Sequence, residues 1–227
     1  MFDLRLLMFI APAILLALWA QWRIKVTYAQ AQQIPARLTG YQAAQAILDS
    51  AGVQGVGIEQ VPGHLSDHYD PSAKVLRLSS DVYNDRSMAA VGIAAHEVGH
   101  ALQDATNYPL MSIRNAAVPM ANIGSSMGIF VLMIGAAMAL QPVIWAGIAL
   151  FGAVAFFQVV NLPVEFDASA RAKRLLVEQG IVPRDEMRYV NKVLNAAALT
   201  YVAATLQAVL TLLYYVLRFT GGGRRDE

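Results

Sequence analysis

Residues 96–100 read His96-Glu97-Val98-Gly99-His100, and the chemistry of the chain is concentrated there. On a helix, imidazoles four positions apart project from one face at a spacing that suits a single zinc ion. Glu97, next to the first imidazole, reaches a metal-bound water. Zinc lowers the pKa of that water towards 7, so a nearby carboxylate can take its proton as the water attacks a carbonyl. The same carboxylate can then hand the proton to the leaving amine. Five residues with three fixed types also arise by chance on ordinary helices, so the surroundings must decide. Here Ile93, Ala94 and Ala95 make the helix semi-buried, where histidine and glutamate need partners. Gly92, Ala94, Ala95 and Gly99 leave room for a second helix to approach closely.

A catalytic zinc takes three protein ligands and keeps a fourth position open. The extended pattern HExxHxxGxxH fails, because Gln103 stands where glycine is needed and Thr106 where the third histidine is needed. The chain has no cysteine, so the remaining ligand must be His, Asp or Glu. The best candidate is Glu165, in Leu162-Pro163-Val164-Glu165-Phe166-Asp167, because a carboxylate at the end of an apolar span is costly to desolvate and gains by pairing with a metal. Its bland reading is a charge near a helix N-terminus, worth under about 1 kcal/mol. Asp167 diverges from the Glu165 face. Two readings of it stand side by side: an acceptor behind a histidine, or a partner for the helix N-terminus. Asp104, one turn past His100, is a weaker candidate to stand behind a histidine and reads first as solvated. His64 and His68 lie in a turn-rich segment and read as surface residues. A sharper alternative has His68 or Tyr69 stabilising the oxyanion of a tetrahedral intermediate. The run Lys74–Leu78 is a candidate edge strand onto which an extended peptide could add, with an ordinary hairpin as the rival.

These residues need elements to position them. Hydrophobic residues make up 56% of the chain and charged residues 15%, well short of the roughly 25% charged typical of soluble domains. Four stretches approach the roughly 20 apolar residues of a membrane helix: 6–22, 118–140, 143–162 and 196–217. Trp19, Trp22, Arg23 and Lys25 suit an interfacial anchor after the first, and no small-residue cleavage site suggests a signal peptide. Only Gln141-Pro142 splits the second and third, which therefore read as a hairpin.

The expected fold is thus mainly α: a polytopic membrane protein with about four transmembrane helices and a small α+β zincin-like catalytic region at the membrane surface. Its expected divisions are a first span over 1–22, a zincin-like region over 23–115 and a helical hairpin over 116–162. A helical segment carrying the third ligand over 163–195, a fourth span over 196–218 and a polar tail over 219–227 complete it.

Within the first polar region, Thr39 predicts a cap for a helix over 40–50 ended by Gly52. Two β-type runs follow, at 56–61 and 74–78, separated by the turn formers Asp67-His68-Tyr69-Asp70-Pro71. Ser87 or Asp85 predicts the cap of a helix from about 87 to 105 that carries His96 and His100. Pro163 suits the first turn of a further helix and Gly180 its end. Because two spans separate the polar regions, both emerge on the same side of the bilayer, so Glu165 can share a site with the histidines. Arginine and lysine concentrate on that side, which predicts a cytoplasmic catalytic face; Arg224 and Arg225 count against it. Gly124 and Gly128 form a small-xxx-small pair for helix packing, within the chain or between copies as an oligomer.

With these residues in place, the chain resembles the YugP-type neutral zinc metallopeptidases of bacterial membranes. The segments that carry the resemblance are Ser66–Pro71, Lys74–Ser79, Ala95–Ala101, Leu162–Ser169 and Ala196–Ala203. It implies one zinc ion at His96 and His100, with Glu97 catalytic. More distantly, the layout is similar to the HtpX-type membrane proteases, whose third ligand is a Glu on a later helix, followed four residues on by an Asp. Here Ser169 occupies that position, which leaves open what stands behind the histidines.

The expected activity is therefore a zinc-dependent endopeptidase acting on membrane or membrane-adjacent polypeptides. A net charge of +1 offers no basic excess for nucleic acid. The alternative is a non-catalytic, zinc-stabilised membrane scaffold or adaptor, in which Glu97 would have no purpose. A protease cutting inside the bilayer is the weakest reading, because the apolar run ahead of His96, Met88–Ala95, is too short to bury as a span.

Overall fold

A computed structural model describes residues 3–220. The C-terminal Arg224-Arg225 pair, weighed above in the membrane orientation, lies outside the described residues. The chain is mainly helical with one three-stranded sheet. In order it forms α1 (Leu4–Gln32), α2 (Gly40–Ser50), β1 (Gly57–Val61), β2 (His68–Asp70), β3 (Val75–Ser79), α3 (Ser80–Asn84) and α4 (Met88–Ala105). There follow α5 (Pro109–Ile123), a π-helical turn over Gly124–Gly128, α6 (Ile129–Ala137), α7 (Gln141–Glu178) and α8 (Met187–Thr220). Four helical stretches are long and apolar enough to cross a membrane: Leu4–Gln32, Pro109–Ala137, Gln141–Glu178 and Met187–Thr220.

The chain divides into two compact units, one of residues 1–19, 112–162 and 200–227, the other of residues 20–111 and 163–199. In the first, a helical hairpin is held by glycines. A β-carbon on Gly135 would meet the Ile144 nitrogen at 2.6 Å, and one on Gly128 the Phe151 nitrogen at 2.9 Å. Gly124 and Gly147 similarly abut the Leu150 carbonyl and the Leu132 backbone. The Gly124/Gly128 pair is therefore used for packing within the chain.

The second unit carries the polar segments. Thr39 caps α2 with a reciprocal capping box to Gln42, and Ser87 caps α4 by accepting from the Ala90 N–H. Gly180, at φ +63°, follows the end of α7 as a residue without a β-carbon can. Leu76, Leu78, Ile47, Val82, Val91, Val98 and Leu176 are fully buried in one core.

Three expectations change here. The sheet order is β1-β3-β2, with β1 parallel and β2 antiparallel to β3. The 74–78 run is thus the central strand rather than an edge, because Leu76 and Leu78 are its buried positions and both flanks are paired. Residues 68–70, read as turn, form β2. The turn lies after them, where the Asp70 carboxylate accepts from the N–H groups of Ser72 and Ala73 and Lys74 adopts φ +52°. Arg77 of β3 ties the flanks, donating to Asp70 at 2.6 Å and pairing with Glu59 at 3.5 Å. Finally, Pro163 lies inside α7 rather than in its first turn. It lacks the N–H that would meet the carbonyl four residues back, yet the apolar residues before it and the polar ones after it continue as one helix.

Candidate metal centre

Helix α4 lies between two others in its unit, and its glycines set how closely they come. A β-carbon on Gly99 would stand 2.5 Å from the Ala168 carbonyl oxygen of α7, and one on Gly92 would stand 3.0 Å from Val190 of α8. This approach brings the first turn of α7 past Pro163 against the histidines. His96 Nε2 is 3.2 Å and His100 Nε2 3.6 Å from the same Glu165 oxygen, Oε2. One ligand atom from each of the three residues lies within 4.8 Å of the others. His100 and Glu165 are buried and His96 nearly so.

The donor set fits zinc. Ligands about 2.0–2.1 Å from a tetrahedral ion stand about 3.3–3.4 Å apart; the two separations from Glu165 lie on either side of that value, while the three donors together spread over up to 4.8 Å. Burial alone would lower the pKa of His100, but its hydrogen bond to Glu165 and the charges of Glu97 and Glu165 outweigh it and hold the imidazole above its ordinary value. That response is the one expected of a buried nitrogen facing carboxylates with a proton as the available cation.

Glu97 is 8% exposed, and among the described residues its carboxylate has no hydrogen-bond partner. A carboxylate without a hydrogen-bond partner on the helix that carries both histidines is free to serve a water or a substrate.

Behind the ligands, each imidazole has a second contact. Ser169 Oγ lies 3.1 Å from His96 Nδ1, so the serine that departs from the HtpX-type pattern stands where an acceptor is useful. His100 Nδ1 lies 3.0 Å from Gln103 Oε1. Gln103 is completely buried, and its amide nitrogen donates to the Val164 carbonyl at 2.8 Å and to Asp167 Oδ2 at 2.9 Å. Asp167 also accepts from Arg171 Nε at 2.6 Å. Asp167 therefore meets the amide of Gln103 and the guanidinium of Arg171, and touches neither histidine through a hydrogen bond. Gln103 entered the sequence reading only as a mismatch to a longer motif. Its position three residues after His100, on the same helix face, was the available signal.

The remaining candidates stand apart from this cluster. His68 is exposed and its Nδ1 meets the Ser66 carbonyl at 2.8 Å. Tyr69 is buried and donates its hydroxyl to Asp104 at 2.7 Å; burial and this bond raise its pKa. Asp104, expected to be solvated, instead joins β2 to the last turn of α4 and pairs with Lys74 at 3.6 Å. The buried phenol on β2 needed an acceptor, and Asp104 of the adjoining α4 supplies it. His64 is exposed and pairs with Asp81 at 3.0 Å.

Residues 6–220 match the family model described as "putative neutral zinc metallopeptidase". The chain is also 43% identical over 214 residues to a protein of Bacillus subtilis (strain 168) named "putative membrane protease YugP", covering 93% of this chain and 94% of that one. No solved structure matches the chain.

Proposed function

The chain belongs to this neutral zinc metallopeptidase family, and from that membership we propose that it is a membrane-bound endopeptidase whose zinc is held by His96, His100 and Glu165. The observation that carries the reading is the convergence of two imidazole nitrogens and one carboxylate oxygen, with the unpartnered Glu97 on the same helix as both histidines.

Bound there, zinc would acidify a water and polarise the scissile carbonyl. Glu97 takes the proton of the attacking water and delivers it to the nitrogen of the leaving amine, acting as base and then as acid. Glu165 brings one negative charge to the ligand set, giving the gluzincin-like combination of two histidines and a glutamate. The candidates for stabilising the oxyanion of the tetrahedral intermediate are His68 and Tyr69. Tyr69 can do so only by releasing Asp104. The zincin-like assignment of residues 23–115 rests on the α4 ligands beside the three-stranded sheet.

The substrates are polypeptides in or next to a bilayer, because the site-bearing segments are continuous with four apolar helices. The distribution of arginine and lysine favours a bacterial inner membrane with the site on its cytoplasmic side. A zinc-stabilised scaffold would leave Glu97 buried without purpose, which sets that reading second.

The test is metal analysis of the purified wild type and Glu165→Ala, together with a proteomic comparison of cells carrying wild type or Glu97→Gln. One equivalent of zinc in the wild type, its loss in Glu165→Ala and substrates accumulating with Glu97→Gln are expected. Full hydrolysis by Glu97→Gln would sink the mechanism.

A further inference from the structure

We propose that Gln103 is a positioning residue that holds His100 as its Nδ1–H tautomer, with the Nε2 lone pair aimed at the metal, and that Asp167 and Arg171 set the sense of the Gln103 amide. The proposal rests on the zinc reading above and goes beyond it, because it assigns a role to residues outside the ligand set.

The argument is one of donors and acceptors. A glutamine amide has an oxygen that only accepts and a nitrogen that only donates. One end of the Gln103 amide faces two acceptors, the Val164 carbonyl at 2.8 Å and Asp167 Oδ2 at 2.9 Å. That end must be the NH2 group, since reversing the amide would set its oxygen against both. The other end is therefore the oxygen, and it lies 3.0 Å from His100 Nδ1. Nδ1 must carry a hydrogen to make that bond, which leaves Nε2 as the lone-pair nitrogen of neutral His100. Nε2 is the atom that faces Glu165 Oε2.

Arg171 completes the arrangement. Its Nε donates to the same Asp167 oxygen at 2.6 Å, and its guanidinium lies 5.8 Å from the centre of the Tyr108 ring. Asp167 Oδ2 thus accepts from the guanidinium and from the amide NH2 group, and a reversed amide would set its oxygen against that acceptor. His96 lacks such a lock. Its Nδ1 faces a serine hydroxyl, which can donate or accept. The two histidines thus differ: one has its tautomer dictated by a buried chain of polar groups, the other does not.

The experiment measures zinc affinity by chelator competition on the full-length protein in detergent, for wild type, Gln103→Met, Gln103→Glu and Gln103→Glu combined with Asp167→Asn. The histidine nitrogens of the zinc-loaded wild type are read by 15N NMR. Gln103→Met should bind zinc about 10–100-fold more weakly, the usual loss when a group behind a metal ligand is removed. Gln103→Glu sets two carboxylates against each other and should also bind weakly. The double variant restores a donor at position 167 and should recover most of the affinity. The NMR should show His100 bound through Nε2 with Nδ1 protonated.

Wild-type affinity in Gln103→Met, no recovery in the double variant, or a His100 bound through Nδ1 would each overturn the proposal. The Glu pair of variants carries the test if Gln103→Met does not fold. A wild type that binds no zinc would instead overturn the metallopeptidase reading, which separates the two failures.

Discussion

Gly99 of α4 and Ala168 of α7 pack backbone to backbone: a β-carbon on Gly99 would stand 2.5 Å from the Ala168 carbonyl oxygen and 3.0 Å from its Cα. Gly99 lies inside the segment that carries the two histidines, and Ala168 is three residues after Glu165. The smallest side chain in the motif is therefore what allows His96 and His100 of one helix to meet Glu165 of the other.

Gly99→Ala should for that reason damage the metal centre although it removes no polar group. The helices must separate by more than a few tenths of an ångström, at an overpacking cost of about 1–3 kcal/mol. A lowered thermal midpoint and weaker zinc binding are expected. Unchanged zinc affinity would show that α4 and α7 need not approach this closely.

Ser169→Ala removes the hydroxyl behind His96 and leaves the ligands in place. Zinc affinity should fall by about tenfold, with little change in the stability of the zinc-free protein. Ser169→Asp, which places a carboxylate behind His96, should tighten zinc. Chelator competition measures both, and equal affinities across the three proteins would remove Ser169 from the site.

The pH dependence follows from His100. Its pKa in the zinc-free protein is raised above the value of about 6.5 expected in the unfolded chain. The stabilisation this supplies is fully present below about pH 6.5 and is lost as pH rises through the folded-state value. The zinc-free protein should therefore melt at a higher temperature at mildly acidic pH than at alkaline pH. Zinc competes with that proton, so zinc affinity should rise with pH across the same interval. A zinc affinity that does not change with pH would contradict the Glu165–His100 contact.

Tyr69→Phe and His68→Gln separate two roles. The Tyr69 hydroxyl is committed to Asp104, so its loss should cost about 0.5–1.5 kcal/mol of stability and change turnover less than threefold. The His68 side chain is exposed and, among the described residues, bonds only to the nearby Ser66 carbonyl, so His68→Gln should leave the melting temperature alone. A fall in kcat for His68→Gln, without a change in zinc content, is the outcome expected of an oxyanion partner.

Much of this was legible along the chain, and the reasons are local. The helical spacing of His96 and His100 needs no tertiary information, because four residues are about one turn. Thr39 and Ser87 as caps, Gly180 after α7 and the four apolar stretches are likewise matters of adjacent residues and side-chain size. Glu165 was reachable by counting spans. Other features depend on which segments meet. Whether 74–78 is an edge or a centre depends on where β1 and β2 dock, and only burial of Leu76 and Leu78 between neighbours decides it. Asp104 found a buried phenol 35 positions away.

The motif around Glu97 was thus set by the sequence itself, since its geometry is that of a single helix. What fixes the sense of the Gln103 amide behind His100 was decided by tertiary structure alone. Gln103 and Asp167 are 64 positions apart, and nothing in their types or local spacing says that one amide will face another helix's carboxylate. Hydrogen bonds carry no signal along the chain when their partners are brought together only by the packing of α4 on α7.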